Sequence, residues 1–120
     1  MPNETQKPYK GSQATPASPT LENAKTFAEF FPFYMQEHQH PLCRRMHFIG
    51  SILGIVGLLT FAATGRPEAI GAGIVAGYAC AWVGHAGFEK NKPASFKRPW
   101  FSFLGDWAMF RDMLGGRLPF

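Results

Sequence analysis

A chain of 120 residues holds one domain at most, and its composition is 46% hydrophobic and 17% charged, with twelve Phe, three Trp and three Tyr. The apolar residues gather in two blocks instead of recurring at amphipathic spacing, which argues against a small soluble domain and for a membrane protein. The formal charge of +4 comes from residues flanking those blocks, where anionic lipid explains it more simply than nucleic acid; Cys43 and Cys80 form no CxxC and give no sign of a disulfide framework or of a zinc site.

Residues 1–20 carry Pro2, Pro8, Pro16 and Pro19 among Lys, Gly, Ser, Thr and Gln, without the apolar stretch of a signal peptide, and predict a disordered tail. A single membrane-embedded helical domain is expected over 21–120. It opens on Phe27, Phe30, Phe31 and Tyr34 mixed with Glu22, Lys25, Glu29 and Glu37, the pattern of an amphipathic helix that Pro32 must kink or restart.

The run 48–64 carries no charge. At 1.5 Å per residue it is just long enough to cross a hydrocarbon core of about 30 Å if its flanks snorkel. Gly65-Arg66-Pro67-Glu68 reads as a tight connection, and 69–88 as a second spanning candidate. Gly50 with Gly54, and Gly73 with Gly77, form GxxxG pairs, extended by Ala69, Ala76, Cys80 and Gly84 into a small-residue stripe that lets helices approach closely in lipid. The fold class predicted is therefore an all-α membrane protein, a hairpin of two transmembrane helices with flanking interfacial helices. Lys7, Lys10, Lys25, Arg44 and Arg45 precede the hairpin, Lys90, Lys92, Lys97, Arg98, Arg111 and Arg117 follow it, and the turn holds only Arg66; both termini are expected in the cytoplasm. The aromatic, cationic stretch 96–114 suits the head-group region and is expected to cap the mouth of the hairpin.

The four histidines flank the two apolar runs. Counted outward from the turn, His47 and His85 lie at nearly equal depth, roughly 28 Å away, if the helices are antiparallel. Pro41 lets the chain fold back and bring His38 to the same mouth. Glu89 falls one helical turn beyond His85. Imidazoles with one or two carboxylates suit a divalent first-row metal, and iron(II), manganese and zinc stay open. Plainer readings stand beside these: interfacial histidines, a helix-end ion pair for Glu89 with Lys90, a solvated His40, and a turn or helix cap at Asp106. Arg44 and Arg45 read as lipid-phosphate anchors or as residues that steer a fatty carboxylate.

Taken together, Tyr34-x3-His38, His47-Phe48-Ile49-Gly50, Trp82-Val83-Gly84-His85, Phe88-Glu89-Lys90 and Pro93-Ala94 resemble the Mpo-type 2-hydroxy acid dioxygenase family over residues 27 to 114. Ala81 and Cys43 stand where one branch carries Gln and Asn, and Asn91-Lys92-Pro93-Ala94-Ser95-Phe96 is closer to a short bacterial branch. The resemblance implies an Fe(II)-dependent membrane enzyme, sited here in a bacterial inner membrane, that adds O2 to a 2-hydroxy fatty acid, releases CO2 and leaves an acid one carbon shorter. It places the metal on His38, His47 and His85. With it goes an expected role for Glu89 as a further ligand or catalytic base, and for Arg44, Arg45 and Lys92 in pairing with the substrate carboxylate. No nucleic-acid partner is expected, and homo-oligomerisation stays open. The alternative is a non-catalytic membrane hairpin that binds lipid or a partner protein; haem held by paired histidines is a third reading.

Overall fold

The computed structural model describes residues 18–120; the tail expected over 1–20 lies outside them as far as residue 17. Four α-helices follow in order, α1 (Phe27–Gln36), α2 (Pro41–Thr64), α3 (Glu68–Gly84) and α4 (Pro99–Leu114), and no strand occurs among the described residues. A π-helical turn, His85–Glu89, extends α3, and a 3-10 turn, Ala94–Phe96, leads into α4.

The first long apolar helix, α2, begins earlier than the apolar run. Pro41 occupies its first position, where the missing N–H costs nothing, and the His40 ring caps it by accepting from the Leu42 N–H at 3.1 Å. His40 is thus a half-buried cap with its ring 5.3 Å from that of Phe88, not a solvated turn residue. The helix ends at Gly65, whose φ of 71° only glycine adopts without strain, and whose N–H closes on the Phe61 carbonyl.

Two helices are long and apolar enough to cross a membrane, Pro41–Thr64 with 24 residues and Glu68–Glu89 with 22. They pack as the expected hairpin, and glycine sets the distance. A Cβ on Gly50 would stand 2.7 Å from the Gly77 carbonyl oxygen, and one on Gly57 would stand 2.6 Å from that of Ala69. The large aliphatic residues turn outward instead: Leu59 and Val75 are more than 60% exposed.

The buried apolar cluster lies at the histidine end, where α1 and α4 pack together through Phe30, Tyr34, Met109 and Met113 with Leu21 and Ala24 beneath. Helix α1 runs unbroken through Pro32, which is exposed, and Ala28, whose carbonyl loses its partner there, is exposed as well. Burial of Phe30 and Tyr34 and the cap from the Thr26 side chain to the Glu29 N–H hold the helix together. Arg98 fastens the entering chain: its guanidinium donates to the carbonyls of Leu21, Glu22 and Ala24 and lies 4.7 Å from the Phe101 ring.

Candidate metal centre

Connectivity brings His47 and His85 to one depth, as the count from the turn requires, and the residues that link α1 to α2 deliver His38 beside them. All three rings are buried. The Nε2 atoms of His47 and His85 are 3.1 Å apart, and those of His85 and His38 are 3.0 Å apart. The three ligand atoms lie within 4.8 Å of one another, close enough to hold one metal ion.

What each ring does with its other nitrogen decides the tautomers. His38 Nδ1 lies 2.6 Å from the Tyr34 carbonyl oxygen, which only accepts, so that nitrogen carries the proton. His47 Nδ1 lies 3.2 Å from an Asp106 carboxylate oxygen, within ion-pair distance. His85 Nδ1 faces Asn91 Oδ1 at 2.6 Å, and the Asn91 amide donates to the Glu37 carbonyl at 3.2 Å, which fixes the orientation of that amide. Each Nε2 is left with a lone pair turned towards the other two. Burial, and then the neighbouring His47, push the His38 pKa well below the usual histidine range, so that ring is neutral at pH 7. Lone pairs about 3 Å apart with no proton between them repel, and a cation placed among them relieves the repulsion.

A carbonyl, a carboxylate and an amide oxygen standing behind three histidines is how metal-binding imidazoles are oriented and made more basic. The spacing fits too. Two nitrogens each about 2.1 Å from one ion are about 3.0 Å apart when their bonds meet at right angles. The small cavity among the rings, about 10 Å³, is the size of one water molecule.

Asp106 is where the sequence misleads most. It lies inside α4 and not at a turn or cap, where it accepts from the Tyr34 hydroxyl and stands within ion-pair distance of His47 Nδ1. Burial, and then the charge of Asp106, hold the Tyr34 pKa well above the phenol range, which keeps its proton available to donate. The Tyr34 ring reaches Asp106 because Gly105 has no side chain: a Cβ there would be 3.0 Å from the ring. Replacing Asp106 with Ala is expected to weaken metal binding by about 10–100-fold. Asn at the same position keeps an acceptor for the His47 N–H and is expected to fall between. Competition against a chelator of known affinity reads the difference, and equal affinities would remove Asp106 from the centre.

Glu89 is placed elsewhere. Residues 85–89 form a π turn, and the carboxylate expected to serve the His85 ring meets a different partner there. The Glu89 carboxylate accepts from the His40 backbone N–H and so ties the end of α3 to the start of α2. Lys90 follows at a φ of 57°, and this left-handed step returns Asn91 to the His85 ring. Arg44 donates to the carbonyls of His38 and Gln39, and Arg45 donates to that of Phe120 at 3.0 Å. Lys92 is exposed. None of these three cations lines the cavities beside the histidines.

With that geometry in hand, comparison with known proteins adds one finding: the family model "2-hydroxy-palmitic acid dioxygenase Mpo1-like" matches residues 24–118. The chain belongs to the Mpo1-like family. No curated protein and no solved structure matches it. The matched span of this Mpo1-like chain takes in all three histidines and the oxygen behind each. Tyr34 and Asn91 have local signals, four residues before His38 and just past a helix end. Asp106 has none, because its partner is 59 positions away in the chain.

Proposed function

We propose that the chain is a membrane-embedded, Fe(II)-dependent dioxygenase that removes one carbon from 2-hydroxy fatty acids. The observation that carries the proposal is the convergence of three imidazole Nε2 atoms, each with its Nδ1 facing an oxygen. The family description supplies the reaction class. Three nitrogen ligands without a thiolate suit a first-row divalent metal, which His38, His47 and His85 would hold. When bound, Fe(II) supplies the one-electron chemistry through which O2 reacts with a closed-shell hydroxy acid. The balance is one acid and one O2 consumed, with a shortened acid, CO2 and water formed.

The protein's own groups orient and exclude. Tyr34, Asp106 and Asn91 hold the three rings in one tautomer, and the aromatic packing of α1 on α4 keeps bulk water from their inner side. Glu89 positions His40 and the start of α2. Arg44, Arg45 and Lys92, at the histidine end of the hairpin, draw the anionic substrate towards that mouth. The exposed aliphatic surface of α2 and α3 faces lipid, with the histidine end and both termini on the cytoplasmic side.

The test is metal content and oxygen uptake of detergent-purified protein reconstituted anaerobically with Fe(II) and given 2-hydroxypalmitic acid. Oxygen consumption with pentadecanoic acid and CO2 as products is the expected result. Bound iron without turnover would move the substrate to another class. Absence of stoichiometric metal would leave a lipid-binding or partner-binding hairpin.

A further inference from the structure

A cavity of about 210 Å³ begins at His47 and Asp106 and runs away from the histidine end, between the hairpin and α4. Its walls on α3 step down one turn at a time, from Ala81 through Tyr78 to Ile74, and on α2 from His47 through Ser51 to Gly54. Trp107 and Phe103 close it from α4. Its imidazole and its carboxylate, those of His47 and Asp106, lie together at one end. There it shares His47, Tyr78, Ala81 and Asp106 with the small cavity among the histidines. That small cavity also contains Ser102, which is 2% exposed and whose hydroxyl has no partner among the described residues. A buried hydroxyl left without a partner costs free energy unless a ligand or water completes it.

We infer that this groove binds the hydrocarbon chain of a single-chain acid, that Ser102 donates to its polar head, and that Gly54 sets how far the chain reaches. Gly54 differs from the glycines around it. Side chains at Gly50, Gly57, Gly73 or Gly77 would strike the backbone of the opposite helix, whereas a Cβ on Gly54 meets nothing within 4 Å. Its missing side chain serves no helix contact and leaves the groove open. Gly54 lies two helical turns below His47, about 10 Å along the axis. A bulky residue there leaves room for the head and the first methylenes and obstructs the rest. The inference rests on the dioxygenase reading only for the identity of the head group.

The test uses the full chain in detergent without added metal, in a W82F/W100F background that leaves Trp107 as the reporter in the groove wall. Terminally brominated straight-chain acids, from hexanoic to palmitic, are titrated and the saturable quenching of Trp107 is followed. Gly54→Phe is expected to weaken the palmitic-length probe at least tenfold and leave the hexanoic-length probe unchanged, with thermal stability retained. Ser102→Ala is expected to weaken every length by one common factor, up to about tenfold. Equal affinities of Gly54→Phe and its parent for the long probe would overturn the groove assignment, and unchanged affinities in Ser102→Ala would overturn the assignment of the head. If the length dependence holds while reconstituted protein binds no iron, the groove stands and the dioxygenase reading falls. If turnover is robust and Gly54→Phe leaves its chain-length preference intact, the reverse is true.

Discussion

Replacing His85 with Ala is expected to abolish stoichiometric metal binding and to lower oxygen uptake by more than about hundredfold, beyond the 10–100-fold typical of groups that stand behind a ligand. His85 sits between the other two rings, with its Nε2 within hydrogen-bonding distance of both. Without it, His38 and His47 lose the nitrogen that links them, and Asn91 loses the ring it orients. His40→Ala is the contrasting variant: His40 is a half-buried helix cap outside the group of ligand atoms, and its loss is expected to leave iron content unchanged at a modest cost in stability. Metal analysis of both variants beside the parent, with circular dichroism to confirm the fold, decides the matter. Full iron occupancy in His85→Ala would remove that residue from the centre.

The second large effect concerns the hairpin. Gly50→Leu is expected to lower stability by about 3 kcal/mol, the upper end of the overpacking range, because the new Cβ would be 2.7 Å from the Gly77 carbonyl oxygen and 3.2 Å from its Cα. Backbone atoms cannot rotate aside as a side-chain tip can. The helices must part instead, and with them the residues that hold His47 opposite His85. Gly54→Leu, a substitution of the same size one turn further along α2, meets open space and is expected to unfold at the parental temperature. Thermal unfolding of both in detergent reads the contrast; a stable Gly50→Leu would mean the helices are not held at glycine distance.

Much of this arrangement is legible in the residues. Two apolar runs around Gly65-Arg66-Pro67-Glu68 fix an antiparallel pair, and antiparallel pairing alone fixes the common depth of His47 and His85. The start of α2 is less so. Arg44 and Arg45 interrupt the apolar run, and only Pro41 behind a capping residue marks the true beginning. Glu89 was out of reach for a different reason: the group its carboxylate accepts from, the His40 backbone N–H, lies 49 positions away in the chain. Asp106 is legible only in three dimensions. A lone Asp after Gly reads locally as a turn or cap, and its function comes from Tyr34 and His47, which belong to other helices.

Asp106 also imposes an order of events during biosynthesis. The hairpin is complete at residue 89, but the carboxylate behind His47 belongs to α4, which is made after it. A ribosome adding about 5–20 residues per second needs only seconds to close that gap, yet throughout it the hairpin lacks the carboxylate that faces the His47 ring. A chain cut short before α4 would therefore insert normally and bind metal poorly. On the proposed function, acquisition of the ion is thereby deferred until the walls that separate it from bulk water have been synthesised.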